Sequence, residues 1–250
     1  MIHCFAAVGD DRIHYLEAGQ GDPIVLLHTG GASAHEFEAV IPLLAGTHRV
    51  IAWDMPGHGD SSPIYAHRSI PDYADALAGF LDALDIPEAV IVGASIGGFI
   101  AMDFAARFPA RVVRTVLAEA PLRSPEWYVA NWAGFEAMCA IPTTTFEETA
   151  PRFRELTPAL HERWNIDRNK AGSWTIVDIA WAVRDFDAAA ALARVTTPSV
   201  VVMGADGPTI CELARWREIQ PAAAIEIMAD CAHFVMIDDP VAFTALVATA

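Results

Sequence analysis

The sequence is poor in cysteine and in positive charge, and it has no long apolar run. Its four cysteines, Cys4, Cys139, Cys211 and Cys231, lie far apart, with no C-x-x-C pair and no cysteine–histidine spacing of a zinc site. That pattern fits reduced thiols packed as small hydrophobes in a cytoplasm. Lysine and arginine number 16 against 32 aspartates and glutamates, a formal net charge of -16. Such a surface repels phosphate backbones and anionic lipids, so neither nucleic acid nor a membrane is expected as a partner. No apolar stretch approaches the length of a membrane span. Residues 1–7 lack the positive charge of a secretory leader, and Asp10, Asp11 and Arg12 interrupt any apolar run. The expected location is the cytoplasm. Self-association into a homo-oligomer stays open.

What is present is apolar and regular. Hydrophobic residues make up 54% of the 250 residues and charged ones 19%, which suits one large packed core. Short β-branched runs at 24–27, 49–53, 89–92, 112–117, 199–203 and 224–228 read as interior strands of a parallel sheet. Helical patterns at 34–44, 71–84, 96–108, 211–219 and 241–249 alternate with them. Strand–helix alternation implies βαβ crossovers and a sheet covered on both faces. The segments around Phe5 and Ile13–Leu16, with a turn at Gly9-Asp10, add an antiparallel edge hairpin. Between 121 and 185 the pattern turns helical without a buried strand, and it holds five of the seven tryptophans. A core of residues 1–120 and 186–250 with a helical cap at 121–185 is the expected organisation. Trp127, Trp132 and Trp181 are candidate pocket residues, because pockets are mostly apolar and aromatic.

Four motifs carry the chemistry. Gly93-Ala94-Ser95-Ile96-Gly97 follows a strand and opens a helix, the frame in which a G-x-S-x-G turn projects a nucleophilic hydroxyl above a sheet. His28-Thr29-Gly30-Gly31 also follows a strand, and a small-residue loop there aims a backbone N–H at an oxyanion. An N–H of this loop and that of Ile96 are the expected oxyanion donors. Thr29 lies beside them as a pocket candidate. Asp54-Met55-Pro56-Gly57-His58-Gly59 reads as a tight turn, with Asp54 bonding backbone N–H groups rather than catalysing. His28 and His58 read as structural. Cys231-Ala232-His233-Phe234 lies beyond the last strand, where His233 reaches back as general base and Phe234 borders the pocket. The order Ser…Asp…His asks for a carboxylate between them, and Asp206, after the strand at 199–203, is the choice.

With these motifs in place the sequence resembles the α/β-hydrolase superfamily, in its single-domain branch of esterases, lactonases and meta-cleavage C–C hydrolases. The resemblance covers essentially the whole chain. It implies an eight-stranded, mostly parallel sheet with a helical lid after the sixth strand. It also implies a serine hydrolase acting on an ester, lactone, amide or activated C–C bond of a small, largely apolar carbonyl compound, with no metal or organic cofactor. Serine at 95 argues against the relatives that attack with aspartate. Two departures stand out. Thr29 replaces the usual glycine, which leaves Gly30 at the position the resemblance expects to donate the oxyanion N–H, and Gly207 fills the slot where the family often carries its acid. The resemblance therefore leaves Glu119, after the strand at 112–117, as the fallback acid, and Asp230 as a third. Arg123, Arg163, Arg168 or Arg184 would hold a substrate carboxylate if there is one. A lyase using the same triad and a non-catalytic ligand receptor are the rival readings.

Overall fold

A computed structural model describes residues 1–248. Its sheet runs through β1 (Ile2–Val8), β2 (Asp11–Ala18), β3 (Pro23–Leu27), β4 (Arg49–Trp53), β5 (Ala89–Ala94), β6 (Val112–Ala118), β7 (Ser199–Gly204) and β8 (Ala224–Met228). The spatial order is β1-β2-β4-β3-β5-β6-β7-β8. β1 and β2 form the expected hairpin, β2 pairs antiparallel with β4, and every later pairing is parallel. Helices α1 (Ile41–Leu44), α2 (Ile70–Ala83), α3 (Ile96–Arg107), α4 (Pro125–Cys139), α5 (Phe146–Thr149), α6 (Pro158–Asp185), α7 (Ala188–Leu192), α8 (Leu213–Ile219), α9 (Val235–Asp238) and α10 (Pro240–Ala248) complete the described chain.

Period-two alternation explains the two-faced burial. Val25 and Leu27 enter one apolar cluster while Ile24 and Leu26 enter another, and Ile51 and Trp53 divide from Val50 and Ala52 in the same way. The first cluster packs under α2 and α3, the second under α1 and α10. Each fully buried aliphatic side chain there contributes about 1.5–3 kcal/mol of transfer free energy.

Two expected helices are broken. The pattern at 34–44 becomes a 3-10 turn, Ala34–Phe37, followed by α1. Pro42 causes the break, since proline is tolerated in a first turn but not inside a continuous helix. The pattern at 211–219 starts as a 3-10 turn at Ile210–Glu212. Of the pattern at 241–249, Thr249 lies outside the described residues. No helix among the described residues is long and apolar enough to cross a membrane.

The chain order creates the site. β3 lies between β4 on one side and β5 on the other, so the connections leaving its neighbourhood diverge. Open α/β sheets bind ligands in the crevice at the carboxyl ends of strands where the winding reverses. The His28 loop leaves β3 there, and Ser95 leaves β5.

Candidate active site

Ser95 sits between β5 and α3 with φ 50° and ψ -112°. A non-glycine residue held at positive φ stores strain, of order 1–3 kcal/mol, and persists only where its surroundings over-determine it. Here the surroundings are close-packed backbone. A Cβ on Gly93 would lie 2.3 Å from the Gly97 carbonyl oxygen, and one on Gly97 would lie 2.3 Å from that of Leu27. The Ser95 N–H donates to Ala118 O at 2.8 Å, locking the turn to β6. Ile96 begins α3, so its N–H has no acceptor within the helix and stands at the positive end of the helix dipole.

His233 follows β8 on a loop whose backbone is pinned by the N–H groups of His233 and Phe234 donating to Arg152 O at 3.0 and 3.3 Å. Its Nδ1 faces Glu119 Oε2 at 3.3 Å. The Glu119 side chain is fully buried, and its Oε1 accepts the Gly204 N–H at 2.7 Å. Glu119 immediately follows β6, with φ 50°, and its N–H donates to Val202 O at 2.8 Å. The carboxylate is thereby carried from β6 across the end of β7 to the imidazole.

Asp206, the expected acid, is not the residue against His233. It lies exposed in the turn after β7, where its N–H donates to Cys231 O at 2.9 Å, and it is one of the residues lining the cavity. The reason lies one residue on. A Cβ on Gly207 would approach Glu119 Oε1 to 2.4 Å, so the Glu119 carboxylate fills the space that a side chain at 207 would need. Asp230 is also exposed, and no hydrogen bond or ion pair joins it to His233.

The loop after β3 is held from below. His28 is buried, with Nδ1 against Thr29 O at 2.7 Å and Nε2 accepting the Met55 N–H at 3.0 Å. Burial lowers its pKa, which keeps it neutral and outside the chemistry. Burial and the neighbouring His28 likewise hold His58 down to about 3. Glu36 accepts both the N–H and the hydroxyl of Thr29, at 2.9 and 3.1 Å. Burial pushes Glu36 up to about 8. Ser33 donates to Asp167 of α6 at 2.9 Å, which ties this loop to the helical segment above it.

Asp54 acts within its turn. Its oxygens accept the N–H groups of Ala34 and Asp60 at 2.7 and 2.8 Å and meet His14 Nδ1 at 2.7 Å. Burial raises its pKa, but these bonds and the nearby His28 outweigh burial and leave it below the usual carboxylate range. His14, Asp54 and Asp60 bring ligand atoms within 4.8 Å of one another. With the Asp54 oxygens already engaged, the group reads as a hydrogen-bonded turn.

Thr29, Gly30, Ser95, Ile96 and His233 share one cavity of about 470 Å³. The Gly30 N–H makes no hydrogen bond within the described residues. The helices between β6 and β7 supply most of the remaining wall. Trp127 lines the cavity, as expected, and so do Tyr128, Phe135 and Trp164. Trp132, Trp181 and Phe234 do not. Trp132 and Trp181 pack edge-on at 4.7 Å under the Arg184 guanidinium, and the Trp181 Nε1–H donates to Glu136 at 2.8 Å. Phe234 is fully buried and stacks on Phe153 at 4.5 Å. Packing between helices, invisible in a linear pattern, decides which aromatic faces the cavity.

The comparisons with known proteins agree with this architecture. A model of the alpha/beta hydrolase family matches residues 24–246, and the chain belongs to that family. It is an enzyme of the α/β-hydrolase class. The cis-3-alkyl-4-alkyloxetan-2-one decarboxylase of Shewanella oneidensis is 26% identical over 94% of this chain and 83% of its own length. The 2-hydroxy-6-oxo-2,4-heptadienoate hydrolase of Pseudomonas putida is 40% identical, but over only 40% of this chain and 38% of that protein. Among solved structures, E-2-(acetamidomethylene)succinate hydrolase superposes with a TM-score of 0.82 at 22% identity, covering 98% of this chain and 97% of that one.

Proposed function

We propose that the protein is a serine hydrolase of a small carbonyl compound, working through Ser95, His233 and Glu119. The observation that carries the reading is the buried Glu119–His233 contact beside a strained Ser95 on one cavity. His233 takes the Ser95 proton as Oγ attacks the carbonyl carbon, with Glu119 fixing the ring orientation and stabilising the imidazolium that forms. The oxyanion lies between the N–H groups of Gly30 and Ile96, which need no reorganisation as charge develops. His233 then protonates the leaving group, and water attacks the acyl-enzyme by the same route in reverse. The helices at 121–185 act as a lid that excludes bulk water. By their names the relatives decarboxylate an oxetan-2-one, which is a lactone, and hydrolyse a 2-hydroxy-6-oxo-dienoate, and these support a lactone or an activated C–C bond as the target.

Hydrolysis of short p-nitrophenyl esters tests this. The wild type is expected to turn them over, and Ser95→Ala to fall to background. Retained activity in Ser95→Ala removes the nucleophile from the reading. A folded, inactive wild type that nonetheless binds ligand saturably would favour a receptor.

A further inference from the structure

Two arginines in the cavity wall have no carboxylate. Arg123, which also lines it, is paired with Glu212 at 2.5 Å. Arg163 faces Asp167 at 3.9 Å, and Arg184 is stacked on Trp132 and Trp181. Arg152 and Arg168 line the same cavity as Ser95 and His233, and neither makes an ion pair within the described residues. The Arg168 side chain is buried. Its Nη2 donates to Ile141 O at 2.5 Å, close to the Met138 and Cys139 carbonyls at 3.5 Å, while its buried Nε has no partner. Capping the end of α4 therefore uses one nitrogen of three. Arg152 is partly buried, and its Nη2 meets only the Met138 thioether, at 3.4 Å, a weak acceptor.

Both guanidinium groups lie over the Trp164 ring, with Cζ at 5.6 Å for Arg152 and 5.2 Å for Arg168. Trp164 packs edge-on against Phe234, the neighbour of His233, at 5.5 Å. Burial, and for Arg168 also the charge of Arg152, lowers both pKa values, the mark of cations left without a counter-charge. The acidic wall residues, Glu148 and Asp206, pair with neither. Glu148 accepts the Thr145 N–H at 2.8 Å within its own helix cap, and Asp206 is exposed. In a chain of net charge -16, two unpaired guanidinium groups turned into one cavity form a built feature.

We propose that Arg152 and Arg168 form an anion subsite, and that the substrate carries a carboxylate held there in addition to the carbonyl attacked by Ser95. Guanidinium groups bind carboxylates through short, charge-assisted hydrogen bonds, and over an aromatic face they keep a planar approach for that group. The subsite makes the substrate an acid-bearing ester, lactone or ketone, oriented by its two ends. This rests on the serine-hydrolase reading for the position of the reacting end and not for the anion itself.

The test pairs mono(4-nitrophenyl) glutarate with 4-nitrophenyl pentanoate, matched in length but differing in charge. The wild type is expected to favour the charged ester in kcat/KM by about 10- to 100-fold. In Arg152→Met and Arg168→Met that ratio is expected to fall toward one. A ratio that favours the neutral ester in the wild type, or that survives both substitutions, overturns the subsite. If Arg168→Met does not fold, Arg152→Met decides alone, because its head group holds no backbone. Calorimetric titration of glutarate into Ser95→Ala separates the two readings. Binding that disappears on adding Arg152→Met supports the subsite even if no ester is hydrolysed, and absence of binding overturns it even if esters are.

Discussion

The Glu119 carboxylate links three strand ends through its two oxygens. It leaves β6, accepts the Gly204 N–H at the end of β7 and meets His233 beyond β8. Glu119→Gln keeps the shape but offers a neutral amide to the imidazole, so kcat is expected to fall by roughly 100-fold or more. Asp206→Asn is expected to change kcat by less than about threefold. Kinetics on one p-nitrophenyl ester distinguishes them, and the reverse ranking would restore Asp206. That Ser95, His233, Gly30 and Ile96 come together on one cavity could be anticipated, because each follows a strand end on the same side of a parallel sheet. Which carboxylate meets His233 was not legible, because the choice between Glu119 and Asp206 turns on a missing Cβ at Gly207 that only the packed structure exposes. Arg152 gave no sequence signal beyond its charge, since its cavity is formed by chain far away along the sequence.

At the scale of elements, the loop after β3 is braced by a buried acid. Thr29 leads out of β3, and its hydroxyl and N–H are both taken by Glu36. The folded-state pKa of Glu36, about 8, lies above its ordinary value of 4.5. Folding therefore favours the protonated form. Its contribution to stability is fully present below pH 4.5 and is lost as pH rises to about 8. Against Glu36→Gln, which does not titrate, the wild-type urea midpoint is expected to fall progressively across that window. A pH-independent difference would show that Glu36 is solvated or compensated. A second element-scale test concerns α6, which is interrupted at Gly172 with φ 75° and ψ 161°. A Cβ there meets nothing within 4 Å, so Gly172→Ala probes the backbone alone. That conformation is nearly closed to residues other than glycine, so the cost is about 1–3 kcal/mol, and Tm is expected to drop by about 2–10 °C. A helical pattern without a buried strand marked this segment as helical, but not its break, because a single glycine in a helical pattern does not announce a kink.

At the scale of the whole molecule, alternation of short apolar strands with helices made the sheet legible nearly strand by strand. Both faces of β3 to β7 are covered, so their runs are mostly apolar, and that is what a parallel sheet writes into a sequence. The cavity was not legible, since it forms between the strand ends and helices that lie far apart along the chain.

The shared space of Glu119 and Gly207 constrains the history of the site as well as its chemistry. An acid cannot migrate from one strand end to the other by a single substitution. Adding aspartate at 207 first forces two carboxylates into one volume, and removing Glu119 first leaves the imidazole without an anion. The double variant Glu119→Gly/Gly207→Asp, with glycine also relieving the positive φ at 119, is expected to exceed both single variants in kcat/KM. Lineages on either side of that valley would keep the same sheet and the same histidine, yet each would stay committed to its own strand.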